Sequence, residues 1–486
     1  MSRSTTAISA TQFGAHSERP PSAVSMIAAI IAATAIGFAI HQHGGEYTSG
    51  AIALITVALV ASVVAIIQSK NSSGDRSDGW INLTIGAALA LQLIALFILW
   101  PVGDDHSQAH RNLANHALYR SLLAMAAMCI LIGFTDVKWA RHWWFPALLF
   151  LHLILGFWTV RASPDPHIDV WMFQQEGAKA LLTGHNPYDA GAVNFPDIYH
   201  STLPGKQHVY GDGLVENDRL KFGFPYPPVS LFCSTLGVLL GHDTRYAQAI
   251  ALTLAGLFIG FARPGRLPKL AAALLMFTPT VWFILGRAWT EPFVVMFLAA
   301  TLFCACRKLR WALPVALGLL LASKQYLAFA VPLSFLLIDD FSWRSIRSWR
   351  QWITTLCGAA IVAGIVTLPL AAWNFRAFWF STVTVQKWAP FRWDALSYLV
   401  WAGFHIDSKY TAWSWLAFVM VVPAMLLSLW KARRGPGGFA LAMSLVYLVF
   451  IAFNKQAFCN YYFFVIGCLC CAIVLIGTPT NAECDS

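Results

Sequence analysis

One aspartate and five cations hold most of the chemistry this sequence offers. Asp169 follows Ser163-Pro164-Asp165-Pro166-His167-Ile168 and opens an amphipathic stretch. A single carboxylate within hydrogen-bond reach of a hydroxyl is enough for general-base catalysis. The structural alternative is a helix N-cap, a role aspartate also fills and one compatible with the first. Arg287, Lys324, Lys387, Arg392 and Lys455 each lie at the end of an apolar run. An unpaired cation at a bilayer centre costs about 3 kcal/mol on insertion scales, so each one snorkels to headgroups or meets an anion. Five of them converging beside one loop would form a phosphate site. Trp388, Phe391, Trp393, Phe458, Tyr461 and Tyr462 interleave with these cations. Such aromatics suit a membrane interface, and their faces also stack on sugar rings and isoprene tails.

Beyond Asp169, the pattern Val170, Phe173, Gly177, Ala178, Leu181 on one face and Gln175, Glu176, Lys179 on another predicts an interfacial helix. Gly184 suits its C-terminal cap, and Asn186-Pro187 starts a turn. His200, Lys206, His208, Tyr210, Asp212, Glu216 and Asp218 follow, each taken singly as a solvated loop residue. Phe224-Pro225-Tyr226-Pro227-Pro228 makes a stiff return to the membrane. No HxxxH or HExxH pattern argues for a metal, and no cofactor is expected. The ten cysteines sit mostly inside apolar runs and read as small buried hydrophobes.

The elements that must position these residues are membrane helices. Of 486 residues, 58% are hydrophobic and 12% charged, about half the charge of a soluble domain. The apolar runs are about 17 to 22 residues long, which suits helices and excludes a β-barrel. The expected fold class is all-α polytopic, with about 13 to 15 membrane helices. The net charge of +10 lies in short loops, where it fixes topology and meets lipid phosphates; nucleic acid is not an expected partner. Spans are predicted near Val24 to Ile40, Gly50 to Gln68, Trp80 to Trp100, Tyr119 to Phe134 and Trp143 to Val160. After the long loop they fall near Thr244 to Ala262, Pro268 to Leu285, Thr290 to Cys306, Trp352 to Trp373, Ala412 to Trp430, Phe439 to Phe453 and Tyr461 to Ile476. Trp311 to Ile338, interrupted at Ser323-Lys324-Gln325, reads as a hairpin, and Pro227 to Gly241 as a short or re-entrant helix. Basic loops at Lys138 and Arg141, Arg263 to Lys269, Arg307 to Arg310, Arg344 to Arg350 and Lys431 to Arg434 put those loops and the N-terminus in the cytosol. The loop 161–228 and four polar patches, Gly286 to Glu291, Ser323 to Tyr326, Asn374 to Asp394 and Asn454 to Tyr462, then share the extracytoplasmic face. The expected division is a cytosolic tail 1–23, membrane helices 24–142, a main membrane unit 143–476 and a short tail 477–486.

Asp169-Val-Trp-Met-Phe173, Gly184-His-Asn-Pro-Tyr188, Tyr226-Pro-Pro228, Gly286-Arg287 before a span and Lys324-Gln-Tyr326 after a Gly/Leu-rich helix resemble, in that order, the GT-C superfamily of membrane glycosyltransferases. In detail they are similar to glycosyltransferase family 87, the polyprenyl-phosphate-mannose-dependent α-mannosyltransferases, with Gly286-Arg287 in place of that family's Gly-Gln. The likeness runs from about Trp143 to Ile476. It implies a GT-C helical bundle in the cell membrane, a polyprenyl-phosphate-linked sugar donor, an extracytoplasmic glycan or glycolipid acceptor, and inversion at the anomeric carbon. Asp169 would be the base, and Arg287, Lys324, Lys387, Arg392 and Lys455 would hold the donor phosphate. His185, Asn186, Tyr188, His208, Tyr226, Gln325, Trp388 and Tyr461 are the candidates for sugar and acceptor binding. A secondary transporter or lipid flippase is the competing class, though no two-fold repeat supports it. Neutralising Lys324 or Lys455 is expected to weaken donor use far more than folding.

Overall fold

The computed structural model describes residues 22–71, 78–98, 113–135, 137–138, 140–200, 209–338 and 341–476. The two expected tails lie outside them, Ser22 and Ala23 apart. Ser22 caps α1 (Ala23–His41) by accepting the Ser25 N–H, and Thr48 caps α2 (Ser49–Gln68) through Ala51. α3 (Asp78–Ile98), α4 (Leu113–Gly133) and α5 (Trp144–Ala162) complete the five spans expected before the long loop. That loop carries α6 (Asp169–Leu182), the single turn α7 (Ala190–Val193), and an antiparallel ribbon of β1 (Val215–Glu216) and β2 (Arg219–Leu220).

α8 (Pro228–Gly241) meets α9 (Arg245–Phe261) at 112° and lies against α6, as a re-entrant helix or one limb of a broken span. The reversal follows from His242, which closes α8 in the left-handed conformation at φ 61°. The single span expected over Pro268 to Leu285 is corrected to two pieces, α10 (Leu267–Met276) and α11 (Val281–Gly286). Pro279 has no N–H to donate and disfavours helical geometry at Thr278, so α10 stops before it.

α12 (Glu291–Cys306) and α13 (Ala312–Leu321) lead to the expected interruption: a 3₁₀ turn at Gln325–Phe329, then α14 (Ala330–Leu333) and another 3₁₀ turn. α15 (Ile346–Trp373) starts a turn and a half before the predicted Trp352 and runs for 28 residues. α16 (Phe375–Trp379), a π turn at Phe380–Thr384 and α17 (Val385–Trp388) continue from it. α18 (Tyr398–His405), α19 (Leu416–Lys431), α20 (Pro436–Ala452) and α21 (Cys459–Ile476) close the chain. Among the described residues six helices, α1 to α5 and α15, are long and apolar enough to cross a membrane, or seven if α8 and α9 form one bent span. Several shorter apolar helices accompany them. The chain is an all-α polytopic membrane protein.

One apolar core runs from Ala23 to Val474, with α1 packed on α2 and α21, and α2 on α20. Arg266 reaches the Phe134 carbonyl and Arg307 the Phe261 carbonyl, so three basic loops meet at the end where α5 begins. α5 finishes beside the long loop, which puts the acidic loop and these basic loops at opposite ends of a spanning helix. A second core lies under the loop itself, built from Met172, Phe173, Tyr188, Phe195, Phe222, Phe224 and Leu231. Within it, Gly223 passes so close to the Pro187-Tyr188 backbone that a Cβ would stand 2.6 Å from the Pro187 carbonyl oxygen. Gly223→Ala is therefore expected to destabilise the loop by about 1–3 kcal/mol, the range for overpacking, seen as a lowered melting temperature and faster proteolysis between Arg161 and Pro228.

Candidate active site

Asp169 is the first residue of α6, after the N-cap Ile168. It is thus not itself the cap, although its Oδ1 accepts the Val170 N–H at 2.8 Å. The Tyr199 hydroxyl donates to Oδ1 and the Tyr210 hydroxyl to Oδ2, each at 3.2 Å, and Tyr199 Oη in turn accepts the Asp169 N–H. The carboxylate is thereby fixed on both oxygens while remaining partly open. Burial pushes its pKa above the ordinary carboxylate value, opposed by the Tyr210 hydroxyl, the Val170 N–H, Tyr199 and the field of Arg392. Acting as a base, Asp169 would have to be deprotonated; the expected signature of that role is an acid limb of kcat/KM above the ordinary carboxylate value, which disappears in any Asp169 variant that retains activity. A pH profile checks this: a limb at the unperturbed carboxylate value would contradict the burial seen here.

A cavity of about 700 Å³ lies beyond Tyr226. Lys324, Gln325, Lys387, Asn454 and Lys455 line it together with Phe329, Trp415, Phe418 and Phe450. Three of the five expected cations therefore converge. Lys324 is only 4% exposed, with Nζ 4.3 Å from the Tyr226 ring centre, 5.7 Å from that of Tyr461 and 3.1 Å from Glu291 Oε1. Lys455 Nζ donates to the carbonyls of Lys387 and Ala389. Tyr226 and Tyr461 line the cavity, whereas Asp169 does not. The carboxylate and the cationic cavity together suit removal of a proton from a hydroxyl next to a bound anion.

The other two cations do not line this cavity. Arg287 ends α11 over the Phe283 ring and does not line the cavity. Arg392 forks onto Asp394 at 2.9 and 2.6 Å and turns its field towards Asp169. Several proposed sugar contacts also have structural partners. Asn186 Oδ1 accepts the Tyr188 N–H, and the Tyr188 hydroxyl donates to the Tyr226 carbonyl from a fully buried ring. Gln325 lines the cavity, but its amide donates to the Pro225 and Thr382 carbonyls and so ties the lysine turn to the loop and to the π turn. His185 is exposed and bonds Thr183; Trp388 is half exposed against Phe380 and outside the cavity lining. His208 lies outside the described residues.

Five residues not named as site candidates hold the parts together. Gln174 and Gln248 both donate to the Ala288 carbonyl, and Gln175, expected on the polar face of α6, is buried against His242 and Thr244. Ala288 sits at φ 55°, where a residue with a Cβ is strained, and the two amides fix it there. Arg245 is fully buried, paired with Asp243 at 2.6 Å and donating to Ser163 and to the Gly286 carbonyl. Glu291 follows this turn and meets Lys324. The hint available in the chain was polar residues within otherwise apolar faces, which membranes tolerate only with partners. Among the described residues no group of three or more His, Cys, Asp or Glu side chains is arranged to hold a metal.

No protein-family profile and no curated protein sequence matches the chain. Among solved structures, the crystal structure of ArnT from Cupriavidus metallidurans bound to undecaprenyl phosphate is similar, with a TM-score of 0.42 and 15% identity over 70% of this chain and 60% of that one. The chain spans less than two thirds of that protein's length.

Proposed function

We propose that the protein is a membrane glycosyltransferase that moves a sugar, mannose or another hexose or pentose, from a polyprenyl-phosphate donor to an extracytoplasmic glycan or glycolipid acceptor with inversion. The observation that carries this reading is the combination of Asp169, held by two tyrosine hydroxyls, with a cavity lined by Lys324, Lys387 and Lys455 and by Phe329, Trp415, Phe418 and Phe450. Asp169 takes the proton of the acceptor hydroxyl as that oxygen attacks the anomeric carbon opposite the phosphate. The bond from the anomeric carbon to the phosphate oxygen breaks, and its electron pair leaves on the lipid phosphate. Lys324, with Lys387 and Lys455 nearby, neutralises that charge. Phe329, Trp415, Phe418 and Phe450 suit the isoprenoid chain. The order of motifs in the sequence supports the same reading, and the basic loops at the opposite end of α5 support an extracytoplasmic site.

The test is to reconstitute the full-length protein in vesicles with radiolabelled polyprenyl-phosphate mannose, glucose or arabinose and an envelope glycolipid extract. Consumption of one donor, with label appearing in an acceptor, is expected. The reading fails if no donor is consumed and polyprenyl phosphate binds no better than the corresponding alcohol.

A further inference from the structure

Glu291 is the buried acid to which the scheme above gives no task. It opens α12, is 0% exposed, and places Oε1 3.1 Å from Lys324 Nζ and 3.5 Å from the Tyr326 hydroxyl. Its Oε2 is buried and makes no hydrogen bond. Lys324 lines the cavity whereas Glu291 does not. The ammonium therefore stands with a carboxylate behind it, the cavity in front, and the Tyr226 and Tyr461 rings beside it.

We propose that Glu291 is a resident counter-ion, which holds Lys324 in position while the cavity is empty and competes with the lipid phosphate for it when the cavity fills. A buried ammonium needs an anion, and this carboxylate supplies one before any substrate arrives. A phosphate bound at Lys324 then faces a second negative group behind the same nitrogen. The competition is not equal for substrate and product. The sugar donor is a phosphodiester with one negative charge, whereas the lipid phosphate left after transfer is a monoester carrying close to two at neutral pH. Glu291 thus repels the product more than the substrate and favours release. It acts through Lys324, so it is a positioning residue.

This inference rests on the glycosyltransferase reading, and the experiment separates the two. Full-length protein in nanodiscs is titrated with undecaprenyl phosphate and with undecaprenol at neutral pH, where the phosphate monoester carries close to two charges. Glu291→Gln is expected to bind the phosphate about tenfold more tightly, the size of one hydrogen bond to a charged group, with undecaprenol binding unchanged and inhibition of transfer by added undecaprenyl phosphate deepened. A lost structural contact alone would weaken both ligands. Glu291→Asp, which withdraws the carboxylate by one methylene, is expected to shift binding the same way by a smaller factor and serves if the Gln variant does not melt cooperatively. Wild type preferring the phosphate, with no tightening in a folded variant, overturns the counter-ion role alone. Wild type showing no preference for the phosphate over the alcohol overturns the glycosyltransferase reading as well.

Discussion

Asp169→Asn is expected to give a folded protein that transfers sugar about 10² to 10⁴ times more slowly, the usual value of general-base assistance. An amide oxygen can still accept from Val170 and Tyr199, so the first turn of α6 keeps its bonds. What disappears is the capacity to take the acceptor's proton. Ile168 occupies the N-cap position, which leaves a purely capping role for Asp169 without its geometry. Asp165→Asn and Asp189→Asn are the comparisons, since Asp165 is exposed and Asp189 caps α7 through the Gly191 N–H. Expression, melting temperature and transfer should be measured on all three. Full transfer by Asp169→Asn, or an equal loss at either neighbour, would move the base elsewhere in the loop.

Lys324→Met should cost transfer about 10²- to 10³-fold, the range for removing one preorganised group that stabilises developing negative charge. The sequence alone led to the expectation that folding would be spared, and the structure changes this. Methionine leaves Glu291 as an unpaired carboxylate at 0% exposure, and breaking a buried pair from one side costs about 3–5 kcal/mol. The single variant is therefore expected to be both inactive and less stable. Adding Glu291→Gln should restore most of the melting temperature and none of the transfer. Melting curves and transfer rates on the single and double variants decide the matter; wild-type activity in Lys324→Met would remove that lysine from the donor site.

The membrane helices could be read from the sequence because a span must be apolar along its whole length, a property each segment carries by itself. Asp169 and the Gly184 turn were visible for a related reason: Gly184 takes φ 77°, and α6 shows its amphipathic period within 14 residues. Whether a cation is free depends on what folds beside it. Arg392 and Lys324 look alike as charges at the ends of apolar runs, yet one is matched to Asp394 two residues away and the other to Glu291 on another helix. Gln174 and Gln248 bind the same carbonyl from different helices, a relation with no trace in spacing. The break at Pro279 was hidden because the run on both sides is apolar, and hydropathy does not register a missing N–H.

α15 is the most open of the six long apolar helices: of its 28 residues only Ser348, Ala359, Leu370 and Ala371 are buried. At 1.5 Å per residue it is about 42 Å long, against a hydrocarbon layer of about 30 Å, so it must tilt or carry its ends into the headgroups. It continues through α16 into the π turn, where Ser381 accepts the Gly223 N–H and Thr382 accepts the Gln325 amide, and then into α17, whose Lys387 carbonyl receives Lys455. The segment that follows the lipid-facing length of α15 thus contacts the loop backbone, the lysine turn and the cavity wall. Acyl-chain length is thus expected to bear on the site through this one helix, which transfer rates measured in vesicles of graded lipid length would show.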